Sequence, residues 1–243
     1  MSEALTWRAK ALRLTLFGAI AHEDLSGALL SVIGMSPEVE ERHAEYRLLR
    51  QRSPWAEAAG GTLELSTNGS LGRVDWLLNA GPNSQAEDLG PLDERVEQFK
   101  SAMASWICQH PATHTRIAIG LAAAVWTESD FQSYEILSRL LPNLQLDPAS
   151  SRDLLYQINR PSQSDTRPGL KLNHITRWMA VVSDATSTQR MLFKHFAFVD
   201  CDHSTPVEPH EFRGTEAVNI VSELFSKALE SVRSGDRPLG VQV

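Results

Sequence analysis

The chain has 243 residues, 42% hydrophobic and 22% charged, the ordinary mix of a globular protein rather than of a disordered or fibrous chain. Its net charge of −7 speaks against a whole surface built for nucleic acid or an anionic membrane, while leaving room for a local basic patch. Its two cysteines, Cys108 and Cys201, lie far apart without CxxC spacing, so neither a disulfide framework nor a thiolate zinc site is indicated, and a reducing cytoplasm fits best.

Arg8, Lys10 and Arg13 precede an apolar stretch that imitates a leader peptide, but Leu12, Leu14 and Leu16 fall on alternate positions, which predicts a strand over 10–20. No apolar run approaches the roughly 18 residues a membrane helix requires. A helix over 23–34 follows, with Leu25, Leu29, Val32 and Ile33 on one face and Gly34 as its stop. Strands are predicted over 44–52, 61–68 and 72–81, the last two joined through Asn68-Gly-Ser as a hairpin. Pro91 and the acids behind it open a helix over 91–109, whose apolar stripe is Leu92, Val96, Phe99, Met103, Trp106 and Ile107.

The second half repeats this order. A strand over 115–126, a helix over 129–142, strands over 153–160, 170–182 and 189–202, and a helix over 215–233 ended by Gly235 are predicted. The fold class is therefore α+β: a mostly antiparallel sheet with helices on one face, whose element order reads as a tandem duplication of a β-α-β-β-β-α unit. Two unrelated α+β domains of like order would read the same way. The division falls at 1–112 and 113–243, with 109–114 as the boundary loop, and the two units are compatible with one continuous domain.

Two regions carry chemistry. In "FVDCDHSTP" (198–206), read as a strand exit, alternation puts Asp200 and Asp202 on one face and Cys201 and His203 on the other. Such a pair suits a hard divalent cation, with Glu208 and Glu211 as further ligands and His203 or His210 as acid/base. Aspartates at a strand exit also serve as turn and capping groups, which is the commoner use. Between 150 and 195, seven basic residues stand against three acidic ones, a local balance of +4 in an acidic chain. Arg160, Arg167, Lys171, His174, Arg177 and Trp178 thus form a candidate partner- or anion-binding set, for an acidic protein surface, self-association or nucleic acid. A plain solvated hairpin is the alternative.

No phosphate-binding glycine loop, dinucleotide fingerprint or nucleophile elbow is present. Pro111 between His110 and His114 spoils a helical metal pair. The mixed-sign run from Glu38 to Arg52 reads as a solvated face, and Trp55 as a loop aromatic, packed back or serving as an interface anchor. The expectation is a non-enzymatic binding or scaffold subunit of an assembly or homo-oligomer, with no cofactor and no membrane contact. The alternative is a metal-dependent phosphoesterase or nuclease built on Asp200 and Asp202.

Overall fold

Alternation in the first strand sets the architecture. In β1 (Arg8–Ala19), Leu12, Leu14 and Leu16 are fully buried, whereas Ala11, Arg13 and Phe17 point to the other face. The computed structural model describes residues 5–19, 25, 27–44, 47–56, 60–80, 88–110, 112–187, 190–207 and 210–237. After β1 come α1 (Ala28–Ile33), β2 (Val39–His43), β3 (Leu48–Trp55), β4 (Gly61–Asn68), β5 (Arg73–Ala80) and α2 (Leu92–Gln109). The second half contains β6 (Thr113–Thr127), α3 (Asp130–Leu140), β7 (Leu155–Asn159), β8 (Ser162–Gln163), β9 (Lys171–Ser187), β10 (Arg190–Ser204) and α4 (Gly214–Ser234).

The strands form one antiparallel sheet in the order β2-β3-β4-β5-β1-β6-β10-β9-β7, with β8 beside β9. On either side of the β1/β6 pair the halves run β5-β4-β3 and β10-β9-β7, so both lay down their strands in the same sense. β6 begins at the sequence boundary, yet β1 and β6 pair from Arg8↔Ala124 to Ala19↔Thr113, so the sheet passes through that boundary unbroken.

Helices and the inward strand residues share one hydrophobic core. The stripe predicted for α2 is buried in full, and α4 buries Ala217, Ile220, Val221, Leu224, Phe225, Ala228 and Val232. The two helices meet at Phe99 and Phe225, whose rings pack edge-to-face at 5.9 Å, while Trp106 of α2 packs on Trp76 of β5 at 5.2 Å. α4 ends on α3: a Cβ at Gly235, which sits at φ +69°, would lie 1.8 Å from the Leu140 carbonyl oxygen, so only glycine fits there. Among the described residues no helix is long and apolar enough to cross a membrane.

Several boundaries differ from expectation. The run read as a solvated face contains the edge strand β2 and most of β3, because its polar groups pair across strands, Gln51 of β3 with Glu40 of β2 and Arg50 of β3 with Glu64 of β4. Trp55 ends β3 facing inward, 6% exposed, with Phe99 at 6.4 Å. The first helix is described only over α1, and residues 81–87, between β5 and α2, lie outside the described residues. β10 continues through Ser204, two residues past the expected end, so 198–204 is the last stretch of a strand interior to the sheet, paired with β6 on one side and β9 on the other.

Candidate functional site

Among the described residues every helix packs on one face and none covers the opposite one, where side chains are fixed by register. One cross-strand row reads Asn79-Ala11-Ala122-Asp200-Arg177-Gln157, and the next Leu77-Arg13-Gly120-Asp202-Ile175-Asn159. The small residues in the middle leave a shallow depression of about 190 Å³ walled by Arg13, Leu77, Arg177, Asp200 and Asp202. Arg13 lies flat over Gly120, where a Cβ would come within 3.3 Å of the arginine's own Cβ and Nε. The glycine is what lets Arg13 cross β6 toward Asp202.

Both carboxylates of the expected cation pair are on this face, as alternation requires, and each meets an arginine. Asp200 accepts from Arg177 at 2.7 Å, and Arg13 reaches Asp202 at 3.5 Å. A divalent ion would have to displace guanidinium groups that already balance the charge. His203 is on the far side of the sheet, fully buried, and so cannot act as acid/base beside the aspartates. His210 lies after β10 with its ring 5.8 Å from Phe212, and the exposed Glu211 pairs with Arg213. Glu208 lies outside the described residues. Among the described residues, no three carboxylate, imidazole or thiol groups gather where they could hold a metal ion. Magnesium or manganese is therefore expected to leave the melting temperature of wild type and of Asp200→Ala/Asp202→Ala unchanged. A rise in the wild type that the double variant loses would restore the cation site.

The basic set is divided in space. Arg177 belongs to the open face, where it also donates to Gln157 at 2.6 Å. Arg160 donates to the Asp236 carbonyl oxygen, while Arg167 pairs with Glu216, bonds the Glu211 carbonyl and lies over Phe212. Lys171 is exposed. Trp178 and His174 are buried at 1% exposure, Trp178 stacked on Tyr156 at 5.7 Å. These two serve the core and not a docking surface, a correction that follows from α3 and α4 covering their side of β9. Arg160 and Arg167 hold the segment between β7 and β9 onto α4.

The inner face instead gathers imidazoles. His174 Nδ1 and His203 Nδ1 are 3.1 Å apart, so one ring donates and the other accepts, and at least one is neutral. His174 Nε2 meets Ser162 Oγ at 2.9 Å, and His203 Nε2 lies 3.4 Å from Thr176 Oγ1. Burial lowers His174 to about 4, with Lys227 adding to the effect. Burial, then the proximity of His174, takes His203 to about 3. The Cys201 thiol, also on this face, is fully buried and pushed well above its ordinary value by desolvation, so it is inert as a nucleophile.

No family model, no curated protein and no solved structure matches this chain. Its function must be read from its own surfaces.

Sequence reasoning found the Asp200/Asp202 pair and Arg177 but missed Arg13 and Gly120, which complete the depression. Their strands, β1 and β6, lie far from β10 in the chain, and only the β1-β6-β10 order brings them together.

Proposed function

We propose that this protein is a non-enzymatic binding subunit whose open sheet face receives a protein partner. The carrying observation is that, among the described residues, no helix covers the second side of the sheet, although it bears apolar side chains among its paired charges. Leu77, Ile175, Met179 and Phe198 are half-buried there, and Leu155 at its β7 edge is 64% exposed. Antiparallel sheets do tolerate one solvated face, but that face then usually reads as polar. Here arginines alternate with aspartates and apolar groups, a composition suited to interfaces. The charged pairs fix register, and the apolar groups supply area.

The reading is tested by placing a photo-crosslinking residue at Ile175 or Met179 on the open face, and at Glu97 or Ser226 on the helical side. Cross-linking in cells to one discrete species from the first two sites and not from the others is the expected result. Equal labelling from both sides, or none from the open face, would overturn it. A homo-oligomer would appear as a species of twice the chain mass.

A further inference from the structure

At one end of the open face, the register aligns Arg73 of β5, Phe17 of β1 and Arg116 of β6 in a single cross-strand row. Both guanidinium groups lie against the Phe17 ring, with their Cζ atoms 5.8 and 5.4 Å from its centroid. Their partners differ. Arg73 is bound to Asp75, whose other contact is the Thr15 hydroxyl at 2.6 Å. Arg116 meets no carboxylate among the described residues and donates only to Ser204 Oγ, at a long 3.4 Å. Its Nε is buried and has no acceptor among the described residues. An ionised N–H withdrawn from water without an acceptor is costly, and an oxyanion placed at its edge removes that cost.

We propose that Arg116, backed by Arg73 across the Phe17 ring and flanked by Ser204, is the anchor for a carboxylate of an acidic peptide segment in the partner. The proposal rests on the reading that the open face is the docking surface, and it names the chemistry that binds there. Among the described residues, two guanidinium groups against the single carboxylate of Asp75 leave a local charge of +1, which a carboxylate neutralises and a phosphate dianion over-compensates. A nucleic acid strand running along the face would also meet Asp200 and Asp202 in the neighbouring rows and a chain of net charge −7. The Phe17 ring lies beside both guanidinium groups, and the planar fork of an arginine suits two parallel bonds to a planar carboxylate.

The test follows the arginine Nε–H resonances of the full-length protein while hexaglutamate, inorganic phosphate or a single-stranded oligonucleotide is added. Hexaglutamate is expected to shift the Arg116 and Arg73 signals saturably. Arg116→Gln should weaken that binding about tenfold or more at unchanged melting temperature. Arg116 signals indifferent to hexaglutamate, or an Arg116→Gln variant that binds it as wild type does, would overturn the anchor. Saturation by phosphate or oligonucleotide at lower concentration would overturn the carboxylate assignment. If open-face cross-links persist in Arg116→Gln, the docking reading stands and only the anchor falls. If the open face yields no cross-links, the docking reading falls whatever the titration shows.

Discussion

Acidification is expected to unfold this protein cooperatively at about pH 4 to 5, where carboxylate protonation has only begun. Three buried histidines drive this. His114, His174 and His203 are each no more than 1% exposed, and their values fall from 6.5 to about 4, 4 and 3. Burial is the leading cause in all three. The sign follows from proton counting: between the unfolded value near 6.5 and the folded values, the unfolded chain holds protons the native state lacks. Stability is therefore complete above pH 6.5 and is lost as pH falls toward the folded values. Each histidine contributes about 1.4 kcal/mol per pH unit over that window. By pH 5 the three together amount to roughly 6 kcal/mol, comparable with the whole stability of many domains. The charged groups acting on His174 from α4 are Lys227, which opposes protonation, and Glu223 and Glu230, which favour it less strongly than burial disfavours it; on His203 the charge that acts is His174 itself. Denaturant melts at a series of pH values measure the slope directly. Neither ring nitrogen of His114 has a hydrogen-bond partner among the described residues, so His114→Leu removes its titration cleanly and should lower the slope by about 1.4 kcal/mol per pH unit. A stability constant from pH 7 to 4.5 would refute the account.

That the sequence yields the α+β class and most elements, yet not the site, has a physical cause. Periodicity is local: the stripes of α2 and α4 and the alternation in β1 report the face each element buries whatever its neighbours are. The partners of a charge are not local. Arg13 and Asp202 are 189 residues apart, and Arg177 and Asp200 meet only because β9 and β10 pair in one particular register. A local excess of positive charge therefore looked like a binding patch, although Arg160 and Arg167 are committed to α4 and its flanks. The same limit applies to "FVDCDHSTP": it closes β10 as expected, but the arginine partners of its two aspartates come from β1 and β9. Alternation did place Asp200 and Asp202 together and His203 on the other face. What could not be read was which of those faces the helices would cover.

Glu223→Ala is expected to cost about 3 kcal/mol, because that carboxylate is the clasp that closes the basic segment onto α4. It is 7% exposed and accepts three bonds from one short stretch of loop: Ser164 Oγ at 2.7 Å, the Asp165 backbone N–H at 2.6 Å and Thr166 Oγ1 at 2.6 Å. Ser164 Oγ in turn accepts from the Thr166 and Arg167 backbone N–H groups, so the turn is organised around the same point. Lys227 to Asp165 and Arg167 to Glu216 add ion pairs at the rim, both at 3.1 Å, but these have exposed partners and contribute less. Alanine leaves three donors without their acceptor. Glu223→Gln keeps the shape and one oxygen while turning an amide N–H₂ toward donors, and should cost about half as much. The measurement is urea unfolding of the three proteins, with limited proteolysis between 164 and 169 alongside. Global destabilisation in the order Ala, Gln, wild type shows that the clasp belongs to the cooperative fold. An alanine variant that is cut in the loop but melts as wild type would show the segment opening by itself, which would set Arg160 and Arg167 free and return them to the surface as charges available to a partner. An alanine variant that is neither destabilised nor cut would refute the clasp.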